Sequence, residues 1–281
     1  MNEDMKKDLK PASFNYLTTL LKIVNRNDEN DINCVLARYF LEHFNDLDDM
    51  SINAVADECY VSRSSVQRFI KYLGADSFTV FKDKIPELKN HEKAFLIYTN
   101  HEDFQQYLSQ SINDMMQDIN HQAETDGLDK MADLIGKSRN VVLMIAETSN
   151  TAGRNFQQAM MSVGKLVRLI SDATTEYSIL ESMDEDDLLI TASTTGNYAY
   201  RLKDQIRHLK PAKALITLNH YEELEQVYKH IFYLSGRLKL NNPGTTRMRN
   251  VYTTYGMVYF FDLLFHAYAV KYQQEPIENA S

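Results

Sequence analysis

The residues best equipped for chemistry fall into three short clusters. Between positions 61 and 73, Arg63, Arg68 and Lys71 occur with Ser62, Ser64, Ser65 and Gln67 and without an acidic residue. Guanidinium, ammonium, hydroxyl and amide groups are the donors that phosphates and base edges accept. Farther along, Thr148, Ser149 and Asn150 follow Glu147, and Ser193, Thr194 and Thr195 precede Gly196, Asn197 and Tyr198. Hydroxyls gathered ahead of a helix either cap it or take part in holding an anion or a sugar. Nucleophilic and metal chemistry find no comparable cluster. Cys34 and Cys59 are the only cysteines, too few for a disulfide framework or a usual zinc site, and both fall in stretches that read as helical core. No catalytic residue, metal ligand or cofactor is expected.

The first cluster needs a scaffold, and the sequence offers one over residues 1–85. Phe14, Leu17, Leu20, Leu21 and Val24 recur at helical spacing, as do Ile32, Val35, Leu36, Tyr39, Phe40 and Phe44. Ser51 then caps a short helix carrying Ile52, Val55 and Ala56, which ends near Cys59 and Tyr60, and Val61 anchors the turn. Ser62 caps a second short helix closed by Gly74. On it Val66, Phe69, Ile70 and Leu73 share one face, which leaves Arg63, Ser64, Ser65, Gln67, Arg68 and Lys71 to project elsewhere. Asp46, Asp48, Asp49, Asp57 and Glu58 precede this helix and are expected on the side away from its polar face. Periodicity alone leaves two readings open: a small bundle with a solvated last helix, or a recognition helix docked by one stripe and presenting donors to a major groove.

The string itself separates them. Residues 51–82 resemble the helix-turn-helix of RpiR/MurR-type regulators, with Ala56, Val61, Ser62, Ser65, Arg68, Phe69, Leu73, Gly74, Phe78, Phe81 and Lys82 at the places of that pattern. The resemblance implies a double-stranded DNA operator as partner. A connector is expected over 86–103, broken by Pro86, a polar run at 89–93 and residues 100–103, with a helical stretch near 94–98.

The other two clusters belong to a second domain, residues 104–281. Amphipathic helix is expected over 104–135 with an interruption near Asp126 and Gly127. Apolar runs at 141–146, 166–170, 188–192, 214–218 and 231–234 read as buried strands, and the helical stretches at 151–163 and 201–209 alternate with them. The expected architecture is α/β, an all-α helix-turn-helix domain followed by a doubly wound domain with a parallel sheet. Ligands of such sheets sit beyond the carboxyl ends of the strands, where both hydroxyl-rich loops fall. Asn241, Asn242, Pro243 and Gly244 break the chain before a last helix over about 246–272, apolar around much of its circumference, which serves as core, as a dimer interface, or as both. His266 on it reads as a packing residue.

This second domain resembles the SIS, or sugar isomerase, fold over roughly 110–240. Ser193, Thr195, Gly196 and Tyr198 stand where that family has Ser-x-Ser-Gly-x-Thr. Ile145, Glu147 and Ser149 stand where it has Gly-x-Gly-x-Ser, so the serine is kept and both glycines are replaced. The resemblance implies a sugar-phosphate or amino-sugar effector held by Thr148, Ser149, Asn150, Ser193, Thr195, Gly196, Asn197 and Tyr198. The replaced glycines matter, because a carboxylate at Glu147 repels a dianion unless it points away.

Composition bounds the rest. A net charge of −9 excludes indiscriminate coating of nucleic acid, so any DNA contact must be local. There is no run of eighteen apolar residues, and residues 1–7 lack the apolar core of a signal peptide, so a cytoplasmic protein without membrane partner is expected. The expected function is regulation of carbohydrate metabolism by a homodimer or homotetramer that binds DNA. Two alternatives remain: a sugar-phosphate isomerase, for which Glu147, Glu181 and His220 supply general-base chemistry without a recognisable spacing, and a regulator whose sensor domain only dimerises.

Overall fold

Apolar stripes drive the first unit together. In the computed structural model, which describes residues 15–25, 31–86, 89, 96, 99–171, 178–236 and 250–273, the chain divides into two compact units, Met1–Leu96 and Ile97–Ser281. The first holds α1 (Asn15–Val24), α2 (Ile32–Glu42), α3 (Ile52–Glu58), α4 (Arg63–Tyr72) and α5 (Phe78–Lys82). Leu20, Leu36, Phe40, Leu47, Val55, Val66, Phe69, Ile70 and Phe81 are buried in one core. At its centre Phe40 meets Phe69 edge-on at 5.6 Å between ring centroids and stacks on Phe81 at 5.3 Å. Side chains start the helices: Asp31 accepts from the Asn33 amide, Ser51 from Ala54, Ser62 from Ser65 and Ser77 from Val80. Cys34 is buried within α2, whereas Cys59 is the half-buried C-cap of α3 rather than a helix-interior residue. Burial pushes its thiol up to about 11, helped by the charge of Glu58, so it is a protonated packing group at neutral pH.

The second unit is built on α6 (Phe104–Gln122), α7 (Leu128–Lys137), β1 (Val141–Ile145), α8 (Asn150–Ser162), β2 (Val167–Ser171), α9 (Ser178–Glu181), β3 (Leu188–Ala192), α10 (Asn197–Arg207), β4 (Ala212–Thr217), α11 (Glu222–Glu225), β5 (His230–Tyr233) and α12 (Met257–Tyr272). All five strands are parallel, in the order β2-β1-β3-β4-β5. Alternation along each strand feeds two cores. Val141, Leu143 and Ile145 pack with α6, α7, α8 and α12, while Val142 and Met144 pack with α9, α10 and α11. Helices on both faces explain why β1 and β3 are buried at every position.

The interruption expected near Gly127 is instead a π-helical turn, Ala123–Gly127, that carries α6 into α7 without a break. A second π turn, Tyr252–Gly256, precedes α12. α12 is covered by α7 and α8, with Met257, Phe260, Phe261, Leu264 and Tyr268 buried. Asp133 of α7 holds its far end, pairing with Lys271 and accepting from the Tyr272 hydroxyl at 2.8 Å. Beneath the sheet, buried Asp187 accepts from the Asp184 amide at 2.9 Å, the Asn140 side chain at 2.9 Å and Arg139 at 3.2 Å. Burial alone would raise the Asp187 carboxyl, but these donors outweigh it and hold the group below the ordinary carboxylate range. Phe14, residues 90–93, most of the 94–98 stretch, Asn241, Asn242, Pro243, Gly244, Thr246 and Met248 lie outside the described residues. No helix among the described residues is long and apolar enough to cross a membrane.

Candidate functional site

The first candidate surface is the exposed side of α4. Val66, Phe69 and Ile70 are buried, and Leu73, its C-cap, is buried beside them. This anchors the helix on the core and fixes which residues face out: Arg63, Ser64, Arg68 and Lys71 are exposed, and Ser65 and Gln67 are half-buried. No carboxylate among the described residues pairs with Arg63, Arg68 or Lys71, so their charge is available to an outside partner. Local bonds order the helix start. Ser62 Oγ accepts from the Ser65 amide at 3.1 Å and lies 2.9 Å from Ser65 Oγ, and Arg68 Nη2 donates to Ser65 Oγ at 3.3 Å. Gln67 is drawn away from this group, since its amide donates to the Asp76 carbonyl at 3.3 Å.

The turn between α3 and α4 follows from how α3 ends. The Val61 amide reaches back to the Ala56 carbonyl at 2.9 Å and the Tyr60 amide to Asp57 at 3.2 Å, closing a Schellman turn. Val61 packs half-buried on the core, as an apolar anchor there should. Lys82, which also belongs to the sequence pattern, serves the scaffold. Its ammonium donates to the Met50 carbonyl at 2.8 Å and so ties α5 to the loop before α3.

One expectation about charge is corrected. Asp48 and Asp49 do not both face away from the polar side of α4; they line an open cleft of about 830 Å³ together with Ser51, Arg63, Gln67 and Lys82. The loop 43–50 folds back toward the start of α4, a tertiary placement that helical spacing does not encode. Lys89 pairs with Asp48, and this lowers the Asp48 carboxyl and offsets part of the acid on that rim.

The second candidate site lies at the carboxyl ends of β1 and β3, adjacent strands from which the sheet winds in opposite directions. After β1 the chain forms a 3₁₀ turn, Glu147–Ser149, that opens directly into α8. Thr148 is exposed, whereas Ser149 and Asn150 are buried. Ser149 Oγ lies 3.5 Å from the Thr253 carbonyl in the π turn, and the Asn150 side-chain amide donates to Glu147 at 3.2 Å. After β3, Ser193 Oγ accepts from the amides of Tyr198 at 3.2 Å and Ala199 at 3.5 Å, capping α10. Gly196 has φ +77°, and a Cβ there would stand 2.7 Å from the Asn219 Cβ, so only glycine fits. Thr195 and Asn197 remain accessible, while Tyr198 is turned into the core under α10.

Two residues outside the expected set, Asn219 and Thr194, stand with these loops. Asn219, just past β4, donates to the Thr195 carbonyl at 3.0 Å and fixes the second loop. Thr194 is 4% exposed and Asn150 9%, and neither Thr194 Oγ1 nor Asn150 Oδ1 meets a hydrogen-bond partner among the described residues. A buried polar atom left unsatisfied costs roughly 1–3 kcal/mol, so the two loops carry unspent bonding capacity. No group of three or more metal-ligating side chains occurs among the described residues.

Comparison with known proteins bears most directly on the first unit. Residues 17–88 match the model of the helix-turn-helix domain of the rpiR family. An uncharacterized HTH-type transcriptional regulator of Clostridium perfringens is 26% identical over 179 residues, covering 60% of this chain and 62% of that protein. Another, from Providencia stuartii, is 24% identical over 168 residues, covering 58% and 60%. The chain thus spans about three fifths of the length of these curated relatives. Among solved structures, the Vibrio vulnificus NanR protein complexed with ManNAc-6P is similar over 92% of this chain and 93% of its own, with 17% identity and a TM-score of 0.49.

Proposed function

Residues 17–88 are a helix-turn-helix domain of the rpiR family, and from that premise we propose that the chain is a transcriptional regulator of carbohydrate metabolism that binds an operator through α4. The observation that carries this reading is the division of α4: one stripe is spent on the core, and Arg63, Ser64, Arg68 and Lys71 are left exposed and without carboxylate partners among the described residues. Ser62 and Ser65 hold the helix start, and Gln67 stands at its flank. One such helix reads only a few base pairs, so the reading includes a homodimer or homotetramer on paired half-sites. DNA binding is assigned to 1–85 and the connector to 86–103. Residues 104–281 carry ligand binding and oligomerisation, with α12, on which Val258 and Val270 are exposed, contributing to the contact between copies. A cytoplasmic location belongs to the same proposal.

The effector is assigned to the crevice between the loops after β1 and β3. A sugar phosphate or related metabolite would meet Thr148, Ser149 and Asn150 on one side and Thr195, Gly196 and Asn197 on the other, with Ser193, which caps α10, and Tyr198, which packs beneath it, holding the second loop in place. The unsatisfied Asn150 and Thr194 atoms lie enclosed beneath these loops, and a movement of the loops on binding would open them to sugar hydroxyls. An isomerase reading has less support. Asn150 donates to Glu147, His220 stacks on Tyr233 at 3.8 Å, and Glu181 lies exposed on α9, so none of these contacts draws two of the three groups together as a general acid and base. The proposal is therefore of a regulator without turnover.

Selection from random DNA with the full chain, run with and without sugar phosphates, tests the reading. Enrichment of a two-fold symmetric site, altered by one of the metabolites, is the expected result. Failure to enrich any sequence, or turnover of a sugar phosphate by the purified chain, would contradict it.

A further inference from the structure

Among the described residues three helices end in the same turn, and one of them does so under strain. Beyond α3, α4 and α8 the amides of Val61, Ala75 and Lys165 reach back to the carbonyls of Ala56, Ile70 and Met160, at 2.9, 3.1 and 3.0 Å. The residue before each of these amides must take a left-handed backbone. Two of the three are glycines, Gly74 at φ +94° and Gly164 at φ +75°, which adopt it freely. The third is Tyr60 at φ +54°, the only non-glycine with positive φ among the described residues. A Cβ in that region crowds its own backbone, so tyrosine is the less stable choice there.

Nothing inside the domain compensates, because the Tyr60 side chain is 96% exposed. Strain kept at an exposed aromatic points to a contact made outside the chain. Its place says with what. Tyr60 stands two residues before Ser62, at the end of α4 that carries Arg63 and Ser64, and the N-terminal end of a recognition helix is the end that approaches DNA. Asp57 and Glu58 precede it and supply no donor, and Glu58 already accepts the Tyr39 hydroxyl at 3.0 Å. Beside the short Ser62 hydroxyl, which is engaged with Ser65, the Tyr60 phenol is the long side-chain donor that turn can offer a phosphate, with a flat ring to lay against the adjoining sugar.

We propose that Tyr60 is a DNA-contact residue, its hydroxyl donating to a backbone phosphate beside the half-site and its ring packing on deoxyribose. This rests on the regulator reading above. The test compares full-length wild type, Tyr60→Gly and Tyr60→Phe on the DNA enriched by the wild-type chain. Tyr60→Gly should raise the melting temperature of the helical unit by about 4 °C and weaken binding by roughly tenfold or more. Tyr60→Phe should leave the melting temperature unchanged and recover part of the affinity. Because the phenol is neutral, both variants should keep the wild-type salt dependence, unlike loss of a cation. Wild-type affinity in Tyr60→Gly, or no gain in its stability, overturns the inference and leaves the regulator reading standing. A wild-type chain that enriches no DNA overturns both.

Discussion

Arg68 rests on Ser65, with its Nη2 donating to the Ser65 hydroxyl at 3.3 Å, and Ser65 in turn touches the cap residue Ser62 at 2.9 Å. Helix stability and the aim of an exposed guanidinium thus share one short chain of hydroxyls. Replacing Ser62 by alanine removes the bond to the Ser65 amide and should cost about 1 kcal/mol, read by urea unfolding of the full chain. Ser62→Gly should cost only a few tenths as much. An unchanged unfolding midpoint in Ser62→Ala would show that the cap bond is not what holds the helix start.

Phe69 joins α4 to its scaffold through the edge-on contact with Phe40 and is fully buried. Phe69→Ala should destabilise the first unit by about 4 kcal/mol. DNA binding should fall with the folded fraction, and circular dichroism and shift assays on one sample should report both losses together. Retained binding with a stable fold would mean that the docking stripe does not present the polar face.

The depressed Asp187 carboxyl fixes an acid limb for the second unit. A group whose folded pKa lies below its unfolded value adds stability above about pH 4 that is lost as pH falls through the folded value. Asp187→Asn should therefore destabilise by roughly 2 kcal/mol at pH 7, and the gap to wild type should narrow toward pH 3. A gap independent of pH, in urea midpoints collected at both values, would remove Asp187 from the acid response.

Asn150 and Thr194 set the expectation for the effector crevice. Phosphorylated and amino sugars should raise the melting temperature of wild type, and Asn150→Ala or Thr194→Val should abolish that rise while leaving the ligand-free chain folded. The absence of a shift with every sugar tested would favour a second unit that serves only to bring copies together.

Much of this was legible in the sequence because it is carried by one-dimensional signals. The alternation of buried runs with helical stretches foretold a parallel sheet covered on both faces, and the stripe Val66, Phe69, Ile70 and Leu73 foretold how α4 docks. Other features left no such trace. A π turn such as Ala123–Gly127 keeps the hydrophobic stripe running, so Gly127 reads as a break when it is none. The left-handed backbone at Tyr60 is invisible because glycine and asparagine are the residues that announce it. Asp48 and Asp49 share a cleft with Arg63 through a tertiary fold of loop 43–50, which no spacing rule contains. In the second loop the hydroxyls were visible, but Ser193 is spent on capping α10 and it is Thr194 whose hydroxyl stays unsatisfied.

The central claim, that α4 presents its cations to DNA, is tested most directly by a shift titration across a salt series with wild type and an Arg68→Ala, Lys71→Ala double variant. The account predicts weaker binding and a slope of log K against log salt shallower by about 2, one for each phosphate that is no longer neutralised. Superimposable isotherms at every salt concentration would contradict it.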